Sequence, residues 1–262
     1  MPAAELAIIA DRMRPAPVDV QPGPVDYIEF RTGGDPYEIR GGEPTIYAWL
    51  QAWSGPGGQH WVRRLREDAG SPVCDQAYED SIDFRDDNPA WFDVPPEDPA
   101  ALERFVLANP YPPRPSDTAD LYLLYRISWL AQEHNATLRQ RQATLRALAR
   151  RPDLYVQVGI RDATGRSTIT VSAVGLERDP FFSRSASVKP VRRVLEFDAD
   201  TGLLLAETLY RDPAVLARGL RAPVHGSASN VLDQIIYVDR QHVTDPTSPT
   251  LGCALHPRPF DR

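Results

Sequence analysis

The side chains that carry most enzyme chemistry are few in this sequence and form no recognised catalytic pattern. Five histidines occur, and no two have the spacing that places a pair of metal ligands on one helix face. No Cys-x-x-Cys pair, Gly-x-Ser-x-Gly elbow, phosphate-binding loop or dinucleotide fingerprint is present. The sequence therefore predicts no catalytic residue, no metal ion and no cofactor.

Two weaker arrangements keep a hydrolase open as an alternative. His225 shares a loop with Ser227 and Ser229, which is the composition of a nucleophile loop. His242, with Asp239 and Asp245 nearby in sequence, has the partners that orient a general base. Nucleophile and base are assembled in space rather than along the chain, so a polar surface is the competing interpretation of both.

The segment Glu67–Pro96 is rich in acidic residues but does not have the pattern of a calcium loop. Such a loop needs alternating oxygen ligands, a central glycine and a terminal glutamate. The acidic residues are instead interrupted by aromatic residues, among them Tyr78, Phe84 and Trp91. We expect a long surface excursion held down by these aromatic side chains.

The two cysteines, Cys74 and Cys253, are a candidate disulfide. The bond would tie the C-terminal tail to the middle of the chain, and closing so long a loop stabilises by about 4 kcal/mol in the entropy model. A disulfide fits an oxidising compartment. Two unrelated thiols are the alternative, because sequence does not show the distance between them.

Composition excludes several classes of partner. The chain has 262 residues and a formal net charge of -7, whereas binding to nucleic acid phosphates needs a basic face. It contains no run of 18 apolar residues and no basic region before an apolar N-terminal stretch. We expect no nucleic-acid partner, and membrane contact only through a segment absent from this chain.

The aromatic residues that could line a binding groove are concentrated in two predicted strands. Thr45–Trp53 places Tyr47, Trp49 and Trp53 on one face, and Trp61 belongs to the next strand, His60–Leu65. Such strands usually pack as the face of a sheet, and a ligand-lined groove is the alternative. Trp129, in a predicted buried helix, completes the candidate ligand site.

Helices are predicted at the N terminus and in the middle of the chain. Pro2–Met13 has helical spacing of its apolar residues. In the middle of the chain, Asp98 caps one helix, Ser116 or Asp117 caps a second that runs to about His134, and a capping box at Thr137 starts a third. The second is apolar around much of its axis, which predicts a buried helix. The basic residues of the third are predicted to form a solvated stripe; they are Arg139, Arg141, Arg146 and Arg150.

The clearest strands lie in the second half. Leu154–Ile160 and Thr168–Val174 alternate with a period of two, Val194–Tyr210 has the form of a hairpin with its turn at Asp198–Gly202, and Leu232–Val243 is the last strand. Strands, then helices, then strands predict an α+β fold with an antiparallel sheet. We expect one domain over residues 1–262, with a helical insertion at about 98–151 and a Pro-rich tail at about 244–262.

Several stretches resemble a family of actinobacterial extracytoplasmic proteins of uncharacterised function. They are Leu138–Val156, Asp162–Gly165 and Leu195–Glu207, joined by the helix start Asp98–Leu102 and the entry strand that ends at Phe30. The resemblance implies a cell-envelope location and an N-terminal membrane anchor in the full-length protein. It also implies an architecture similar to LolA and RseB, in which a curved antiparallel sheet, an open half-barrel, packs on helices. Such proteins hold acyl chains on the apolar face of the sheet, or they regulate sigma-factor signalling.

These observations predict a non-enzymatic, lipid-binding type of envelope domain. Its ligand would be apolar, or its partner an envelope protein, and the candidate contacts are the five aromatic residues named above. A sensory or structural module coupled to an anti-sigma-type segment is the alternative, and an uncharacterised hydrolase is the second alternative.

Overall fold

The computed structural model describes residues 2–34, 46–55, 60–68, 71–81, 94–108, 118–161, 165–178, 188–211 and 231–244. Within these ranges there are four α-helices: α1 (Pro2–Arg12), α2 (Pro99–Ala108), α3 (Ala119–Glu133) and α4 (Leu138–Ala149). A short 3-10 helix spans Pro17–Val20. The strands are β1 (Val25–Gly34), β2 (Ile46–Ser54), β3 (His60–Asp68), β4 (Ser71–Ser81), β5 (Tyr155–Arg161), β6 (Ser167–Arg178), β7 (Val188–Asp198), β8 (Leu204–Arg211) and β9 (Val231–Val243).

All nine described strands form one sheet in the order β4-β3-β2-β1-β9-β8-β7-β6-β5. Every neighbouring pair is antiparallel, and consecutive strands are neighbours within each half of the chain. The two halves join where β1 pairs with β9, from Val25 opposite Val243 to Gly34 opposite Asp233. The predicted α+β fold with an antiparallel sheet is confirmed, and α2, α3 and α4 lie between β4 and β5 in the chain.

Helix α3 connects the two halves of the sheet, because it contacts β1 and β2 on one side and β6, β7 and β8 on the other. Its buried residues include Leu121, Leu124 and Ile127, and Arg126 is buried as well. The prediction of a buried helix here is confirmed. Helix α2 packs against α3 and α4, and α1 packs against α4.

One hydrophobic cluster, which we call the main core, joins all four helices to the sheet. Its sheet side consists of side chains that share a face across paired strands, such as Phe30 with Leu50 and Val171 with Leu195. Alternation along each strand sends the intervening side chains to the opposite face. There a smaller cluster contains Val25, Tyr27 and Trp53, with Val243 packed against it.

Side-chain caps begin the helices of the middle region. Asp98 accepts a hydrogen bond from the Ala101 amide at 2.8 Å, and Thr137 and Gln140 form the predicted capping box. At α3 the cap is Thr118, which accepts from the Leu121 amide at 3.2 Å, whereas the sequence favoured Ser116 or Asp117. Thr118, one residue after Asp117, supplies a side-chain oxygen that accepts the same kind of capping hydrogen bond.

The hairpin between β7 and β8 turns where the sequence predicts. The Asp198 carboxylate accepts from the Thr201 amide at 2.7 Å and the Asp200 amide at 3.0 Å, and the Gly202 amide donates to the Asp198 carbonyl at 2.8 Å. Gly202 has φ +70°, in the left-handed region that suits glycine. Both strands extend further from the turn than predicted, because β7 begins at Val188 and β8 ends at Arg211.

Two sequence predictions are corrected by the fold. Part of the segment predicted as an irregular excursion, Ser71–Ser81, is β4, paired with β3 at the edge of the sheet. Arg141, predicted in a solvated stripe, is buried, with a side chain only 4% exposed. Its neighbour Arg139 is exposed as predicted, at 78%.

We expect Gly202→Ala to destabilise the protein more than Gly165→Ala. Both glycines have positive φ, +70° and +82°, so both substitutions carry the left-handed backbone cost of about 1–2 kcal/mol. A methyl group on Gly202 would also clash with the end of the Met13 side chain and lie 3.4 Å from Arg141 Cβ, whereas nothing lies within 4 Å at Gly165. Overpacking should add about 1 kcal/mol at Gly202. Urea unfolding of the two variants measures the difference in their free energies of unfolding. Equal losses of stability would contradict the close packing of Met13 and Arg141 around Gly202.

Candidate functional site

A partly enclosed cavity of about 50 Å³ lies between the helices and the β7–β8 turn. Helices α2, α3 and α4 supply half of its lining residues, and the β7–β8 hairpin, β9 and the connections beside the helices supply the others. The wall is mainly apolar. Its apolar residues include Leu102, Val106, Ile127, Leu130, Phe197 and Leu204.

Polar side chains occupy a minority of the cavity wall. They are His134, Gln140, Arg141, Thr144 and Arg240. Gln140 has a positioning role, because its Nε2 donates to the Pro95 carbonyl at 2.7 Å while its Oε1 accepts from the Thr137 amide at 2.8 Å. The capping box of α4 therefore also fixes the chain that leads into α2.

Arg141 connects the elements around the cavity. Its guanidinium makes two hydrogen bonds to the Asp19 carboxylate, Nη1 to Oδ1 at 3.0 Å and Nη2 to Oδ2 at 2.6 Å. Nε donates to the Thr201 carbonyl at 2.7 Å in the hairpin turn, and Nη1 also donates to the Ala136 carbonyl at 2.5 Å. One side chain thus joins the 3-10 helix, the α3–α4 connection and the β7–β8 turn.

Helix α2 is tied to the start of α3 by Arg151. The guanidinium of this residue lies 3.0 Å from Glu103 on α2 and 2.5 Å from Asp120 on α3. Burial works to lower the pKa of Arg151, but its bonds to Asp120 and Glu103 raise it above the ordinary value. The ion pairs therefore keep α2 over the cavity.

A carboxylate and two histidines lie beside the cavity. Asp26 accepts from the Asn135 amide at 3.0 Å, its Oδ1 lies 2.8 Å from His242 Nδ1, and its Oδ2 lies 4.0 Å from His134 Nδ1. The carboxylate that holds His242 is therefore Asp26, not the predicted Asp239. Asp239 instead accepts from Gln241 Nε2 at 2.5 Å. Asp245 lies outside the described residues.

Arg240 is a residue of the cavity wall that the sequence analysis did not single out. Its Nη1 donates to the Ala131 carbonyl at 2.8 Å, and its guanidinium carbon lies 4.4 Å from the centre of the Tyr237 ring. Nε and Nη2 are buried, and neither has a hydrogen-bond partner in the described part of the chain. A single arginine in a strand carries no sequence signal that would have identified it.

The candidate aromatic residues are distributed over several elements. Trp53 is buried on the face opposite the main core, with its ring 5.3 Å from that of Tyr27. Trp129 lies on α3, with its ring 6.0 Å from that of Tyr125. These two residues therefore do not share a groove. Tyr47 and Trp49 lie on β2, and Trp61 lies on β3 opposite Trp53, but their side chains are outside the described part. A ligand site at these residues stays a prediction.

Other candidate residues cannot be placed beside one another. Cys253, His225, Ser227 and Ser229 are outside the described residues, and of Cys74 only the backbone position in β4 is described. The disulfide and the nucleophile loop stay predictions. Among the described residues, no group of three or more His, Cys, Asp or Glu side chains is placed to hold a metal ion.

We expect Asp19→Asn to weaken the fold and to remove part of its sensitivity to acid. Burial tends to raise the pKa of Asp19, but hydrogen bonds from Arg141 and from the Ala16 amide lower it below the ordinary 3.8. A lowered pKa in the folded state gives a stabilisation that is present above 3.8 and is lost as the pH falls through the folded value. At neutral pH the loss should be about 3 kcal/mol, since Arg141 would lose its buried partner.

The measurement is urea unfolding of the wild type and the variant between pH 7 and pH 3. Asp200→Asn is a matched control, because Asp200 lies on the β7–β8 turn that Arg141 also contacts, and its ion pair with Arg14 is exposed on both sides. The control should change stability little at any pH. A parallel acid dependence for Asp19→Asn and the wild type would contradict the role of this pair.

In the described part of the chain, no helix is both long and apolar enough to cross a membrane. No protein-family model, curated protein or solved structure matches the sequence or the fold of this chain.

Proposed function

We propose that this chain is a non-enzymatic binding protein of the cell envelope that takes an apolar ligand into the cavity between α2, α3, α4 and the β7–β8 turn. The observation that carries the proposal is the cavity itself, which has a mainly apolar wall inside an otherwise continuous main core. Protein interiors are close-packed, so a retained apolar space is uncommon. Apolar spaces of this kind can take up small apolar molecules.

The size of the cavity restricts the ligand. Pockets that enclose drug-sized molecules have about 300–1,000 Å³, against about 50 Å³ here. A short alkyl group fits, whereas a complete acyl chain requires α2 to move away from α3 and α4. The ligand we propose is therefore a short alkyl compound or the end of a longer chain.

The placement in the envelope, and a LolA/RseB-like half-barrel architecture, are parts of the same proposal. They are supported by the resemblance at Leu138–Val156 and Leu195–Glu207, and by the presence of one antiparallel sheet with helices packed on its main-core face. A cavity between the helices and the β7–β8 hairpin is compatible with such an architecture.

The test is calorimetric titration of the purified chain with butan-1-ol and hexan-1-ol. We expect saturable binding of both with similar affinity, because a cavity of about 50 Å³ encloses only the end of either chain and the additional methylenes of hexan-1-ol stay outside it. Ala131→Leu and Ala136→Leu place extra carbon atoms in the cavity wall and should each abolish binding. Ala108→Leu, at the exposed end of α2, should leave it unchanged.

Thermal unfolding of each variant shows whether it is folded. Binding that survives in both folded cavity variants would place the ligand elsewhere, with the strands that carry Tyr47, Trp49 and Trp61 as the next candidates. Failure of both alcohols to bind would remove the ligand proposal and favour the interaction-module alternative.

A further inference from the structure

Helix α2 forms a wall of the cavity without being packed on the sheet. It contributes Leu102 and Val106, which are four residues apart on one face of the helix, and both side chains are buried. Among the described elements α2 packs mainly against α3 and α4, whereas α3 contacts strands of both halves of the sheet. Helix α2 can therefore move outward without disrupting the pairing of any strands.

A partly buried ion pair holds the middle of α2 in place. The Glu103 carboxylate lies 3.0 Å from Arg151, with the side chains 17% and 22% exposed, and Arg150 is a more distant cation at 4.0 Å. Arg151 also lies 2.5 Å from Asp120 on α3. When α2 moves outward, Arg151 keeps Asp120 as its partner and Glu103 passes into water. Neither charge is then left buried and unpaired, which keeps the electrostatic cost of the movement low.

The residues just before α2 are fixed to helix α4. Gln140 Nε2 donates to the Pro95 carbonyl at 2.7 Å, and the Asp98 carboxylate caps α2 by accepting from the Ala101 amide at 2.8 Å. These bonds keep residues 95–98 beside the start of α4 while the remainder of α2 changes its angle. Residues 95–98 therefore have the position of a hinge.

We propose that α2 is the lid of the cavity, that it turns outward about residues 95–98, and that the pair between Glu103 and Arg151 is its latch. The main cost of opening is the exposure of Leu102 and Val106, because both side chains are buried in the closed form. An alkyl chain longer than the closed cavity covers these side chains again. The inference rests on the proposed function, and it extends the ligand class to longer alkyl chains.

Thiol labelling in the absence of ligand tests whether the lid opens. Val106→Cys places a thiol on the inner face of α2, and Val171→Cys places a matched thiol in the main core on β6. Labelling of the folded chain with iodoacetamide, located by peptide mass spectrometry, should be about tenfold faster or more at position 106. It should also depend little on low concentrations of urea, because opening of α2 exposes much less surface than the global unfolding that labels position 171.

Glu103→Gln removes the latch and should increase labelling at Val106→Cys by about tenfold. In the chain with its native valine, Glu103→Gln should tighten calorimetric binding of octan-1-ol by about fivefold, because the open form becomes more populated. Binding of butan-1-ol, whose end the closed cavity accepts, should stay within about twofold. A purely structural ion pair would not increase the affinity for a longer chain when it is removed. Arg104→Gln, at an exposed neighbouring position on α2, should change neither labelling nor binding.

The outcomes separate the two proposals. Equal labelling rates at the two thiols, or an octan-1-ol affinity that Glu103→Gln leaves unchanged, would overturn the lid, while saturable binding of butan-1-ol would still support the apolar binding function. If no alcohol binds to the wild type, the binding function fails and the extension to longer chains fails with it. The labelling rates then decide by themselves whether α2 opens.

Discussion

The ion pair between Arg141 and Asp19 is the interaction on which the arrangement of this molecule depends most. It joins residues 122 positions apart through two hydrogen bonds. The same guanidinium binds the carbonyl groups of Thr201 and Ala136. Because these partners belong to the 3-10 helix, the hairpin turn and the α3–α4 connection, one buried cation sets their mutual positions. The cavity wall is built from the same elements, so its shape follows from this pair.

Two arginines of the cavity wall have different environments, because Arg141 is buried and Arg240 is only partly buried. Arg141 has its hydrogen bonds made within the protein, as expected for a structural cation whose removal leaves a buried carboxylate unpaired. Arg240 lies in the same cavity wall, where Nη1 donates to the Ala131 carbonyl and the guanidinium packs on the Tyr237 ring.

Local signals in the sequence predict much of this fold. The strand at Leu154–Ile160, the turn Asp198–Gly202 and the caps at Asp98 and Thr137 depend on residues within a few positions, and all of them are present in the structure, although burial does not alternate along β5. Strand β4 was missed because Ser71–Ser81 has little alternation and is defined by its pairing with β3. The burial of Arg141 was missed because its partner Asp19 is distant in sequence. The cavity was missed because it results from the packing of three helices against a turn.

The most direct measurement of where a ligand binds is methyl and indole NMR during a titration with hexan-1-ol. Binding in the cavity predicts saturable shifts of the methyl signals of Leu102, Leu130 and Leu204, which line it, with the indole signal of Trp53 unchanged on the opposite face of the sheet. Saturable shifts of the tryptophan indole signals, with those leucine methyl signals unmoved, would contradict the account and return the site to the aromatic strands.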